Sequence, residues 1–139
     1  MRHIALAAIL ICIFVAGGTS VMAQSSRPIQ LSQLEDMFAS MRAKTKWNID
    51  GPLLWGYFFL DPNPEKLKQT GKELEAAGYV MVALQQVSGR NLFRLHVQRI
   101  EILGPASLHA RNGEFYNLAE KHFLASYDGM DVGPAPSPK

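Results

Sequence analysis

The densest run of chemically capable side chains in this sequence is His109, Arg111, Asn112, Glu114 and Tyr116. On a helix, three- and four-residue steps bring His109, Asn112 and Tyr116 to one face and set Arg111 beside Glu114. His109 with Glu114 offers acid–base work, because imidazole changes charge near neutral pH. That chemistry requires a pocket in which polar groups converge on the histidine. The plainer reading is a solvated face carrying one Arg–Glu pair, since surface ion pairs are common and individually weak. A third use of the same face is contact with a protein partner, through His109, Arg111 and Tyr116.

A second distinctive stretch is Tyr127-Asp128-Gly129-Met130-Asp131. Two carboxylates flanking a glycine suggest a cation loop, but a calcium loop needs several more oxygen ligands in sequence. A tight turn or bulge, with Asp128 bonding its own backbone, fits the spacing better. Tyr127, Asp128 and Asp131 join the expected partner-contact set. His96 lies between Arg94 and Gln98, and His122 falls near a helix C-terminus, where the dipole favours its charged form; neither belongs to a metal-ligand pattern. The sequence contains no His-Glu-x-x-His, glycine-rich phosphate loop or nucleophile elbow. The expectation is no catalytic residue, no metal site and no cofactor. Trp55 and Tyr57 offer an aromatic ligand-binding strand, but at core spacing they read first as core.

The elements that must position these groups follow from periodicity. Leu31, Leu34, Met37, Phe38 and Met41 recur at helical steps after Ile29, and the helix fades by Lys46 before the turn residues Asn48, Asp50, Gly51 and Pro52. Leu53 to Leu60 is an aromatic, apolar run of strand length, and Gly56 within it marks a bulge or a close backbone approach. Asn63-Pro64 supplies a cap and a first-turn proline for a second helix with Leu67, Thr70, Gly71 and Leu74 inward. Gly78 sits where a left-handed C-terminal cap belongs.

Tyr79 to Val87 and the alternating run Asn91 to Ile102 predict an antiparallel hairpin lying beside the strand of residues 53 to 60. After Gly104-Pro105, Ser107 is the expected cap of a third helix through His122 or Phe123, with Leu108, Phe115, Leu118, Ala119 and His122 inward. Gly113 in that helix costs about 1 kcal/mol relative to alanine. Ser126 to Val132 is a last strand. The order α, β-α-β-β-α-β predicts an α+β fold, a ferredoxin-like βαββαβ sandwich with an extra N-terminal helix covering a sheet edge or the second sheet face.

The first 23 residues are expected to set the location. A basic start at Arg2, an apolar run from Ile4 to Val15 and small residues up to Ala23 have the layout of a secretory signal peptide, with the mature chain beginning near Gln24. The alternative is an uncleaved anchor, since Ile4 to Ala23 is close to membrane-spanning length. An acylated-lipoprotein reading fits less well, because bulky Ile11 precedes Cys12. Cleavage makes the protein periplasmic or secreted, with no stable membrane span. Residues 24–28 then form a linker, 29–133 one domain and 134–139 a disordered proline-rich tail. Of 14 basic residues, Arg2 leaves with the signal; 13 remain against 12 acidic ones, a formal charge of +1. Nothing in that balance calls for direct nucleic-acid binding. The single cysteine, Cys12, leaves too, so the mature chain has no thiol nucleophile or thiolate ligand.

Phe115-Tyr116-Asn117-Leu118-Ala119-Glu120-Lys121 followed by Tyr127-Asp128-Gly129-Met130-Asp131 resembles the ending of the ribonuclease E inhibitor RraB family. Tyr57-Phe58-Phe59, Leu74 and Gly78-Tyr79 sit where that family has its first strand, its helix and its Gly-Tyr strand entry. The similarity covers about residues 45–133. It implies a ferredoxin-like domain and a non-enzymatic regulator that binds a protein partner, ribonuclease E. Met130 stands where an aromatic is usual, and the near-neutral charge departs from the acidic character of members acting on the cytosolic nuclease. An exported chain would not meet a cytoplasmic enzyme, so a changed partner is expected.

Overall fold

The structure, a computed structural model, describes residues 28–137. The signal-peptide reading of 1–23, Cys12, most of the 24–28 linker and the last two residues of the tail lie outside the described residues. The elements are α1 (Leu31–Lys44), β1 (Leu53–Asp61), α2 (Pro64–Ala76), β2 (Val80–Gln86), β3 (Phe93–Glu101), α3 (Pro105–Lys121) and β4 (Ser126–Pro134). One four-stranded sheet has the order β2-β3-β1-β4, and every neighbouring pair is antiparallel. This is the expected ferredoxin-like arrangement, with the β2–β3 hairpin beside β1 in a register running from Leu53 opposite Glu101 to Asp61 opposite Phe93.

Alternation along the central strands separates two faces. Leu53, Trp55, Tyr57 and Phe59 of β1, Leu95 and Val97 of β3, and Tyr127, Met130 and Val132 of β4 are buried beneath the helices. The intervening side chains, including Leu54, Phe58, Arg94, His96 and Asp131, face the other way. Phe115 of α3 meets Tyr57, Phe59, Tyr79 and Tyr127 edge-on at centroid separations of 4.7 to 5.6 Å. That geometry sets the positive edges of the rings against negative faces.

Local sequence explains how the helices begin and end. Asn63 accepts a hydrogen bond from the Glu65 N–H, Pro64 occupies the first turn, and Leu67, Thr70, Gly71 and Leu74 are buried as expected. At the far end Gly78, with φ +97°, donates to the Glu75 carbonyl while Tyr79 donates to that of Leu74, a Schellman ending. A Cβ at Gly71 would collide with the Met81 methyl, so glycine lets α2 lie close on β2.

α3 starts two residues before Ser107. Pro105 takes the first turn, and Ser107 works from inside the helix, its Oγ accepting the Gly104 N–H at 2.8 Å. The buried stripe is Leu108, Asn112, Phe115 and Ala119; Leu118 and His122, expected inward, are half-buried beside it. Gly113 faces open space, so its small size serves no packing.

Leu34, Met37, Phe38 and Met41 are the buried face of α1, as the spacing predicted, whereas Leu31 is exposed. α1 does not cover the second sheet face. Phe38 stacks on Trp55 at 5.9 Å, on the side already occupied by α2 and α3, and α1 packs against α3. Among the described residues, three helices thus share one face and none lies on the other. β4 continues through Gly133 and Pro134, which pair with Leu54 and Leu53, so Pro134 belongs to the sheet and not to the tail.

Candidate functional site

Two polar assemblies stand out, one beneath the helices and one on the open face. The first centres on Glu101 at the end of β3. Arg111 reaches it from α3 at 2.6 Å, Arg99 donates to its Oε1, and the Tyr57 hydroxyl donates to its Oε2 at 3.2 Å. Arg111 also donates to the Tyr79 hydroxyl at 2.6 Å, and the Arg99 guanidinium lies 4.0 Å over the Tyr79 ring. Burial alone would raise the Glu101 pKa, but bonds from the two arginines hold it below the usual carboxylate range. Burial, with Glu101 adding to it, pushes Tyr57 far up and Tyr79 up to about 12. Of these groups Tyr79, Arg99 and Arg111 line an open groove of about 310 Å³ between α2 and α3, together with Leu74, Phe115 and Leu118. Arg99 and Arg111 are held by Glu101 behind them and Arg111 by Tyr79, so they form a structural knot rather than free groups aimed at a ligand.

The second assembly surrounds Gly56 on the open face. Asp131 Oδ1 and His96 Nε2 lie where a Cβ at residue 56 would stand. The glycine thus makes room for two side chains, where a bulge or a close backbone approach was anticipated. His96 stacks on Phe58 at 4.4 Å, and Arg94 lies 5.3 Å from the same ring. Burial lowers the His96 pKa, with Asp131 opposing and Arg94 assisting; burial raises that of Asp131, with His96 opposing. Both groups therefore shift toward their neutral forms. Asp128 is the extra residue of a β-bulge opposite Phe58 and Phe59, completed by Gly129 at φ +97°. The bulge is one of the two forms expected; a bond from Asp128 to its own backbone is not present.

The structure splits the expected contact set. His109 is exposed on α3. Arg111 has only 16% of its side chain exposed and serves Glu101, with Glu114 a more distant 3.5 Å partner. It is not part of a solvated outer face. Tyr116 accepts the Ile29 N–H at 3.1 Å and packs edge-on to Tyr127, so it ties the start of the domain to its end. Tyr127 is buried, and its hydroxyl donates to Asn112 Oδ1 at 2.6 Å. Asn112 is therefore a core residue. Asp128 is exposed and Asp131 half-buried, so among the six only His109, Asp128 and Asp131 retain accessible surface without a structural task beneath the helices. His109 and Glu114 are not drawn into a common pocket.

Sequence reasoning missed Glu101, Arg99 and Asp61. Buried Asp61 accepts the Asn63 N–H at 2.8 Å and the Ala125 N–H at 2.9 Å, joining the start of α2 to the turn before β4. Its position just before Pro62-Asn63 was the available signal, since aspartate commonly bonds backbone two residues on. Glu101 carried only its neighbour Arg99 on the same strand, because its other partners, Tyr57 and Arg111, lie on β1 and α3.

Among the described residues no group of three or more His, Cys, Asp or Glu is placed to hold a metal ion, and no helix is long and apolar enough to cross a membrane. No curated protein matches the chain. The family model for Regulator of ribonuclease activity B matches residues 32–132, which takes in α1 as well as the region whose words carried the resemblance, and this chain belongs to the RraB family.

Proposed function

We propose that this protein is a non-enzymatic regulator that lowers the activity of a ribonuclease of the E type by binding it. The observation that carries the reading is the family match across residues 32–132, over a domain whose polar groups are committed to one another. Members of this family are regulators, so the reading needs a contact surface rather than a reacting centre. The near-neutral charge favours protein contact over phosphate contact, which depends on unpaired cations. The test is RNA cleavage by purified ribonuclease E with increasing amounts of the full chain. Saturable slowing at near-stoichiometric ratio is expected; unchanged cleavage at large excess overturns the proposal.

The layout of residues 1–23 favours a second version of this reading, in which the domain is exported and regulates a different protein. Fractionation of cells expressing the tagged chain, with intact mass of the product, separates the two. Product cut near Ala23 in the periplasm or medium supports a partner outside the cytoplasm. Uncut product in the cytosol overturns export and leaves the cytoplasmic nuclease as target.

A further inference from the structure

We propose that Phe123 is the anchor by which this chain docks into an apolar pocket on the ribonuclease, an inference that rests on the regulatory reading above. Among the described residues Phe123 is the most exposed large hydrophobic side chain, at 81%, and its backbone is left-handed, with φ +53°. It occupies the position after the C-cap of α3, where its N–H bonds the Glu120 carbonyl and Leu124 bonds that of Ala119. The same Schellman ending closes α2, and there the corresponding residue is Gly78. One chain thus uses glycine at one such ending and phenylalanine at the other. A bulky residue at positive φ is strained, and the ring recovers little by packing on its own domain. Strain retained without an internal return points to a use outside the chain.

The turn that carries the ring is held from both sides. Lys66 Nζ donates to the Phe123 carbonyl at 3.1 Å, and buried Asp61 accepts the Ala125 N–H at 2.9 Å. The ring therefore projects from fixed backbone, which lowers the ordering cost of association. Of the cations beside it, Lys121 is paired with Glu73 at 2.8 Å, which also bonds His122 at 2.6 Å, and Lys66 is engaged by the Phe123 carbonyl. One cation without a carboxylate is no concentrated field for a phosphate chain or an anionic membrane, and the turn favours a pocket that takes an aromatic ring.

The test is calorimetric titration of purified ribonuclease E with the full chain and with Phe123→Gly, alongside thermal melting of both. The variant is expected to melt about 2–5 °C above the parent, because glycine accepts the left-handed backbone. It is also expected to bind at least about 30-fold more weakly, the loss typical of a central anchor. Binding as tight as the parent's overturns the anchor while leaving the regulatory reading standing. Melting well below the parent assigns Phe123 a structural role and also overturns it. Absence of binding by the parent chain overturns the regulatory reading and the anchor together, and is recognised without the variant.

Discussion

Arg111 on α3 and Glu101 at the end of β3 meet at 2.6 Å with 16% and 11% of their side chains exposed, and Arg99 and Tyr57 bond the same carboxylate. A carboxylate so enclosed is stabilising only while its cations are present, and the cations only while it is. Replacing Glu101→Gln should destabilise the fold by about 2–3 kcal/mol, because two half-enclosed guanidinium groups lose their counter-charge. Urea unfolding at pH 7 measures it, and a loss under half a kcal/mol would mean the knot is decorative. Glu101 titrates below its unfolded value of 4.5, so its contribution is complete above that pH and is lost as pH falls through the folded value.

Beneath the same helices, Tyr127 and Asn112 form a buried pair at 2.6 Å. Tyr127→Phe keeps the ring but leaves Asn112 Oδ1 without its donor. The expected cost is about 1–3 kcal/mol, the penalty for a buried acceptor left unpaired. An equilibrium denaturation midpoint equal to the parent's would show that Asn112 finds another donor.

On the open face, Gly56 is small because Asp131 and His96 occupy the space of a side chain. Gly56→Ala should cost about 1–2 kcal/mol through forced displacement of both groups. In an Asp131→Ala background most of that cost should disappear, since the nearest obstruction has gone. A double-mutant cycle with coupling near zero would place the strain elsewhere.

His96 supplies a pH prediction of definite sign. Burial and Arg94 depress its pKa below the ordinary 6.5, against the pull of Asp131. The folded state therefore holds fewer protons on this group than the unfolded state does. Its stabilising contribution is present above pH 6.5 and is lost as pH falls through that value toward the folded pKa. Subtracting the melting curves of His96→Gln from those of the parent, between pH 8 and pH 5, should give a difference that declines on acidification. A difference that grows instead would mean His96 is charged in the fold.

Much of the architecture was legible because short-range rules govern it. Leu34, Met37, Phe38 and Met41 declare one face of a helix by spacing, Asn63-Pro64 and Gly78 declare where another begins and ends, and alternation from Phe93 to Glu101 declares a strand. Such patterns say which side of an element turns inward, but not what meets it there. That gap accounts for α1, whose apolar face was read correctly while its place beside α3 was not, and for Arg111, Tyr116 and Tyr127, which looked like a contact surface. Their partners stand far along the chain: Tyr116 bonds Ile29 across 87 residues and Tyr127 bonds Asn112 across 15. The left-handed backbone of Phe123 was equally hidden, since phenylalanine carries no signal for positive φ. Sequence by itself determined the elements, their inward faces and, through family words, the class of protein. Tertiary structure decided which polar side chains are spent inside the domain and which remain at its surface, because that depends on contacts between residues no local rule connects.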